Sequence, residues 1–132
     1  MQKRPRTIDE LLADARARLQ RLTAEEALAA HRAGALLVDT RTYEQRRDAG
    51  CVPGAVVLDR TVFEWRLDPA SPSHLPEVRD HEVQIIVLCR QGYSSSLAAA
   101  SLQELGLHRA TDVIGGFEAW VEAGLPVEAF TP

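Results

Sequence analysis

Gln84-Ile85-Ile86-Val87-Leu88-Cys89-Arg90-Gln91-Gly92-Tyr93-Ser94-Ser95-Ser96 is the stretch that decides the fold. Its first half is a short, continuous apolar and β-branched run, the pattern of a strand buried on both faces. Cys89 ends that run directly. A glycine-containing loop follows, and from Ser94/Ser95 onward Leu97, Ala98, Ser101, Leu102 and Leu105 share one helical face until Gly106. A buried strand therefore delivers a cysteine to its C-terminal edge, where a helix begins. Ligands of open α/β sheets bind at that edge. Loop N–H groups and the helix N-terminus would converge near the sulfur, favour its thiolate and attract an oxyanion. Gly92 supplies the dihedrals such a cradle needs. A buried structural cysteine explains the same pattern about as well, because free cysteine is commonly buried.

The flanking segments set the layers. Ile8, Leu11, Leu12, Ala15 and Leu19 recur at helical spacing, and some of residues 18–22 could form a short first strand. Thr23-Ala24-Glu25-Glu26 is a capping-box sequence opening a helix to about Arg32, with Gly34 placed as its C-terminal cap. Ala35 to Asp39 reads as a second fully buried strand. Thr42 to Ala49 is polar and helix-compatible, and Pro53-Gly54 turns into a strand over Ala55 to Leu58. Residues 59–80 hold Pro69, Pro72 and Pro76 and read as a long loop with one helical turn near Phe63–Arg66. Thr111 to Ile114 is a further strand, closed by Gly115-Gly116, and Phe117 to Ala123 is a last short helix. Strands alternating with helices predict an α/β layer architecture with a mainly parallel sheet.

At 132 residues the chain has room for one core. Its net charge of −4, with acids and bases interspersed, carries no nucleic-acid footprint. No apolar run reaches the roughly 18 residues of a membrane span. The basic start Met1-Gln2-Lys3-Arg4-Pro5-Arg6 is followed by no apolar leader core, so the cytoplasm is the expected compartment. Two cysteines make neither a disulfide framework nor a structural zinc site, and His31, His74, His81 and His108 show no ligand spacing around them. Neither metal nor cofactor is expected.

Cys89-Arg90-Gln91-Gly92-Tyr93-Ser94 resembles the active-site loop of rhodanese-like sulfurtransferases, particularly single-domain bacterial ones with C-x-x-G-x-S-S. Three further segments resemble that family in order: Leu37-Val38-Asp39-Thr40-Arg41 ("LVDxR"), Gly50-Cys51-Val52-Pro53-Gly54-Ala55 ("GHIPGA"), and Gly115-Gly116-Phe117-Glu118-Ala119-Trp120 with Gly124-Leu125-Pro126-Val127 ("GGxxAW…GLPV"). The resemblance spans about residues 21–128 and implies a three-layer fold with a mainly parallel five-stranded sheet flanked by helices. It divides the chain into an N-terminal helical extension, 1–20, and a rhodanese-like domain, 21–132. The extension either packs back on the domain or joins two subunits into a homodimer.

The implied activity is sulfur transfer. Cys89 as nucleophile would take sulfane sulfur from an anionic donor such as thiosulfate, hold it as a persulfide, and pass it to cyanide, a thiol or a protein acceptor. Arg90, Gln91, Gly92, Tyr93, Ser94 and Ser95 would bind the substrate, with Ser94 nearest the persulfide. Asp39 and Arg41 would brace the loop as an ion pair. Arg60, Trp65 and Arg66 follow a strand on the active-site side and could rim the pocket, or be solvated surface. Two positions depart from the family pattern. Gln91 stands where some thiosulfate-using relatives carry a base, which leaves Arg90 as the loop's only charge. Cys51 replaces the histidine of "GHIPGA"; it precedes a strand while Cys89 follows one, so opposite ends of the sheet are expected.

Two other functions fit less well or differ in kind. A cysteine phosphatase with a C-x5-R loop would need arginine at position 95, which is Ser95. A sulfur-carrier or redox-sensing interaction module would share the same persulfide but turn over little small-molecule donor.

Overall fold

The computed structural model describes residues 4–132; Met1, Gln2 and Lys3, part of the basic start, lie outside the described residues. The elements run α1 (Ile8–Ala17), α2 (Ala24–Arg32), β1 (Leu36–Asp39), α3 (Tyr43–Ala49), β2 (Val56–Val57), α4 (Phe63–Leu67), β3 (Ile85–Leu88), α5 (Ser94–Glu104), β4 (Thr111–Asp112) and α6 (Gly116–Glu122). The sheet order is β2-β1-β3-β4, and every pairing is parallel. Crossovers between parallel strands place helices on both faces, so β1 and β3 are apolar throughout their inner length.

Side-chain alternation assigns each strand residue to one of two cores. Val38, Ile85 and Val87 face a cluster with Leu19, Phe63, Leu67, Ala98 and Leu102. Leu37, Ile86 and Leu88 face the other side, with Ala24, Ala27, Val52, Phe117 and Trp120. Helices α4 and α5 therefore cover one face, with α1 packed on α5, and α2 and α6 cover the other, giving the three layers expected.

The sheet has four strands where five were expected. The expected first strand shrinks to a single parallel bridge between Leu22 and Val113. Its neighbours leave no room for more. Arg18 and Leu19 still donate into the end of α1, and Thr23 already caps α2. Three helices begin with the same reciprocal device: Thr7 with Glu10, Thr23 with Glu26, and Thr42 with Gln45. Helix α1 packs against α5 of its own chain, so the extension is folded back on the domain. Among the described residues no helix is long and apolar enough to cross a membrane.

Candidate active site

Cys89 leaves β3 at the C-terminal edge of the sheet, between β1 and β4, and is 6% exposed. The loop after it is shaped from outside, by whatever takes its carbonyls. Phe117 and Glu118, in the first turn of α6, donate their backbone N–H groups to the carbonyls of Cys89 (2.8 Å) and Arg90 (3.0 Å). The Gly92 carbonyl accepts from the guanidinium groups of Arg16 (2.8 Å) and Arg21 (3.0 Å). In a planar trans peptide the N–H points opposite to the C=O. Outward carbonyls at 89, 90 and 92 thus turn the N–H groups of Arg90, Gln91 and Tyr93 inward. The Gly92 N–H itself donates to the Cys89 sulfur at 3.1 Å.

Two glycines permit this closeness. Gly92 has φ +85°, and a Cβ there would sit 2.8 Å from the Gly115 nitrogen. Gly116 has φ +61°, and a Cβ would sit 2.5 Å from the Cys89 oxygen and 2.7 Å from the Gly92 nitrogen. Only a residue without Cβ lets α6 approach the loop from behind.

Burial pushes the Cys89 thiol up, and this is the largest single influence. The hydroxyl and backbone N–H of Ser95, the Ser94 hydroxyl and the Gly92 N–H oppose it and bring the thiol below its ordinary value. The Ser95 hydroxyl has one proton and donates it to Asp112 at 2.7 Å. The backbone donors and Ser94 are therefore what remains for the sulfur. The result is a hydrogen-bonded sulfur, its thiolate form favoured, in an open hollow of about 350 Å³ lined by Thr40, Arg41, Thr42, Gln45, Arg90, Gln91, Tyr93 and Ser94. Such a site can attack a soft electrophilic atom and hold an anionic group on free N–H donors.

The structure brings Arg90, Gln91, Gly92, Tyr93 and Ser94 together around Cys89, but the long side chains are turned aside. Arg90 pairs with Glu118 at 3.0 Å, and the Gln91 amide reaches the same carboxylate at 3.4 Å. Tyr93 is exposed, with the Arg16 guanidinium 5.4 Å from its ring centre. Ser95 faces away from the hollow, onto Asp112. Asp39 and Arg41 form a buried ion pair at 2.8 Å, each side chain 1% exposed. Arg41 also donates to the Gly50 carbonyl at 2.9 Å and lies 3.7 Å over the Phe117 ring, joining β1, the loop before β2 and α6.

Arg60, Trp65 and Arg66 do not line the hollow. Arg60 is paired with Glu64 at 2.7 Å, Arg66 donates to the Ser73 carbonyl at 2.7 Å, and Trp65 is exposed. The expected separation of the two cysteines to opposite ends of the sheet is corrected. The 52–55 turn, closed by Ala55 N–H to the Val52 carbonyl, doubles the chain back. Cys51 consequently lies beside the ends of β1 and β2, in a separate cavity of about 160 Å³ with Asp39 and Val57. Both cysteines are free thiols.

Sequence reasoning missed Asp112, Arg21 and Arg16. Asp112 is completely buried and accepts from Arg21 (2.8 and 3.2 Å), Ser95 (2.7 Å) and Ser96 (2.7 Å). The available signal was an aspartate inside an otherwise buried strand, which must find donors.

The family described as Rhodanese-like domain matches residues 23–123. Among curated relatives, a thiosulfate sulfurtransferase GlpE of Actinobacillus succinogenes is 41% identical over 97 residues, covering 66% of this chain and 87% of its own. A protein named sulfurtransferase from Allochromatium vinosum is 35% identical over 94 residues, covering 71% and 78%. Among solved structures, a protein of unknown function from Rhodopseudomonas palustris, described as a possible tyrosine phosphatase, superposes with a TM-score of 0.84 at 32% identity, covering 97% of this chain and 98% of that one.

Proposed function

This chain belongs to the rhodanese-like domain family, and on that footing we propose that it is a sulfurtransferase working through a persulfide on Cys89. The carrying observation is the Cys89 sulfur accepting from the Gly92 N–H at 3.1 Å in a loop whose carbonyls at 89, 90 and 92 are all bonded outward. The thiolate attacks the outer, sulfane sulfur of a donor such as thiosulfate. A new S–S bond forms on Cys89, the donor's own S–S bond breaks, and sulfite leaves with the electron pair. The N–H groups of Arg90, Gln91 and Tyr93 hold the donor's oxygens and then the outgoing sulfite. A thiol or cyanide acceptor attacks the outer persulfide sulfur and returns Cys89 to its thiolate. Asp39 and Arg41 act through the loop and α6, as supports. The chain functions in the cytoplasm, with a small anionic donor and a thiol or protein acceptor as its partners.

The phosphatase reading suggested by the Rhodopseudomonas palustris protein meets a specific obstacle. The loop position that would carry a bidentate phosphate ligand is Ser95, whose hydroxyl is committed to Asp112. The carrier reading keeps the same persulfide and differs in turnover alone.

The test is the intact mass of the protein after incubation with thiosulfate and removal of excess, with Cys89→Ser and Cys51→Ser in parallel. The expected result is a gain of one sulfur atom, reversed by cyanide and lost in Cys89→Ser only. A gain that persists in Cys89→Ser would overturn the assignment, and a stoichiometric gain without turnover would favour the carrier.

A further inference from the structure

Of the three carbonyls that shape the loop, those of Cys89 and Arg90 are held by α6, inside the matched family region of 23–123. The third, at Gly92, is held by Arg16 of α1 and by Arg21, both outside it. This third tie falls on the peptide least able to hold itself. Gly92 sits at φ +85°, and glycine has no side-chain bias against rotating the peptide that follows it. Arg16 grips at two points: Nη2 on the Gly92 carbonyl at 2.8 Å and Nε on the Ser96 hydroxyl at 3.2 Å. The Ser96 hydroxyl passes its own proton to Asp112 at 2.7 Å, and Asp112 in turn fixes the Arg21 fork. Arg16, Ser96, Asp112 and Arg21 thus form one closed frame behind Gly92.

We propose that Arg16 and Arg21 are positioning residues for sulfur transfer: by holding the Gly92 carbonyl outside the loop they aim the Tyr93 N–H into the hollow, where it meets the anionic donor. Helix α1 is on this account part of the site as well as part of the core. Two charge-assisted bonds must break before the 92–93 peptide can turn over, so the donor set around Cys89 is fixed before any substrate arrives. The proposal rests on Cys89 being the sulfur-bearing residue.

The experiment is the pH dependence of Cys89 alkylation by iodoacetamide, in a Cys51→Ser background, for Arg16→Met and Arg16→Lys, with thermal melting of each. Arg16→Met is expected to raise the alkylation midpoint by about half a unit, roughly threefold less thiolate at neutral pH. Arg16→Lys, which keeps the charge but offers one anchoring point instead of a fork, is expected to give a smaller rise. A midpoint unchanged in both variants, whatever happens to the melting temperature, would overturn the proposal and leave α1 a packing element. Alkylation needs no sulfur donor, so its outcome stands apart from whether thiosulfate loads the protein.

Discussion

The backbone N–H of Phe117 donates to the carbonyl of Cys89 at 2.8 Å, so the last helix of the fold is bonded to the residue that carries the chemistry. The contact depends on Gly116 immediately before it, whose missing side chain leaves 2.5 Å between an ideal Cβ position and the Cys89 oxygen. Gly116→Ala is expected to cost about 2–4 kcal/mol, from left-handed strain and the displaced helix together. Persulfide loading is expected to fall more than about tenfold, since the loop loses the tie that turns its N–H groups inward. Urea unfolding and loading rate measure the two effects, and a folded variant with unchanged loading would contradict the cradle geometry.

The direction of the Cys89 shift predicts a pH profile. Its thiol lies below the ordinary value because the surrounding donors outweigh burial. Iodoacetamide reactivity of the folded protein is expected to reach half its plateau at lower pH than glutathione does. Ser94→Ala should move that midpoint up. Folding favours the thiolate, so the group adds stability above the range of the unfolded thiol. That contribution fades as pH falls through the folded value.

Glu118 competes for the two side chains best placed to meet an anion. It holds Arg90 at 3.0 Å and Gln91 at 3.4 Å on a half-exposed surface. Glu118→Gln is expected to lower KM for thiosulfate roughly twofold to fivefold, the scale of an exposed ion pair, with kcat little changed. Raising the ionic strength should shrink the difference between the variant and the parent protein. A KM that does not move would mean that Arg90 takes no part in binding the donor.

Arg41 and Asp39 are each 1% exposed and bonded at 2.8 Å. Arg41→Met strands a buried carboxylate and is expected to cost about 3–5 kcal/mol. The double replacement Asp39→Leu with Arg41→Met removes both charges and should cost less than the two single changes added together. A double-mutant cycle in urea gives the coupling directly, and strict additivity would argue against a functional pair.

The strand, the cysteine and the helix after it are legible in the sequence because a two-sided apolar run, a glycine loop and a helical period are local patterns. Gly115-Gly116 and Asp39…Arg41 are legible through family resemblance. What is hidden acts at a distance. Arg16 and Arg21 reach Gly92 across 76 and 71 residues, and Asp112 reaches Arg21 across 91. No spacing rule connects such positions. The fifth strand and the place of Cys51 were misjudged for a different reason. The strand at 18–22 is cut short because the end of α1 reaches Leu19 and the cap of α2 begins at Thr23, while Cys51 is placed by the turn that closes at 52–55; both are decided by the packing of what flanks them.

The entry to α5, like those of α4 and α6, carries no side-chain cap, and at α5 this leaves N–H groups free beside the reactive sulfur. Three other helices begin with a threonine that satisfies their first free N–H groups, whereas α5 begins at Tyr93 with no side-chain bond and with Ser95 and Ser96 bonded to Asp112. An N-terminal cap is worth about 1 kcal/mol. Engineering for heat resistance would therefore be drawn to Tyr93→Asp, which would supply the missing acceptor once the backbone there moved from φ −97°, ψ −66° to the extended form of the other caps. The repaired helix should melt later and load sulfur more slowly, because a resident carboxylate would occupy the N–H groups that an incoming oxyanion requires. Durability and turnover are set against each other at this one position, and screening for the first alone would select against the second.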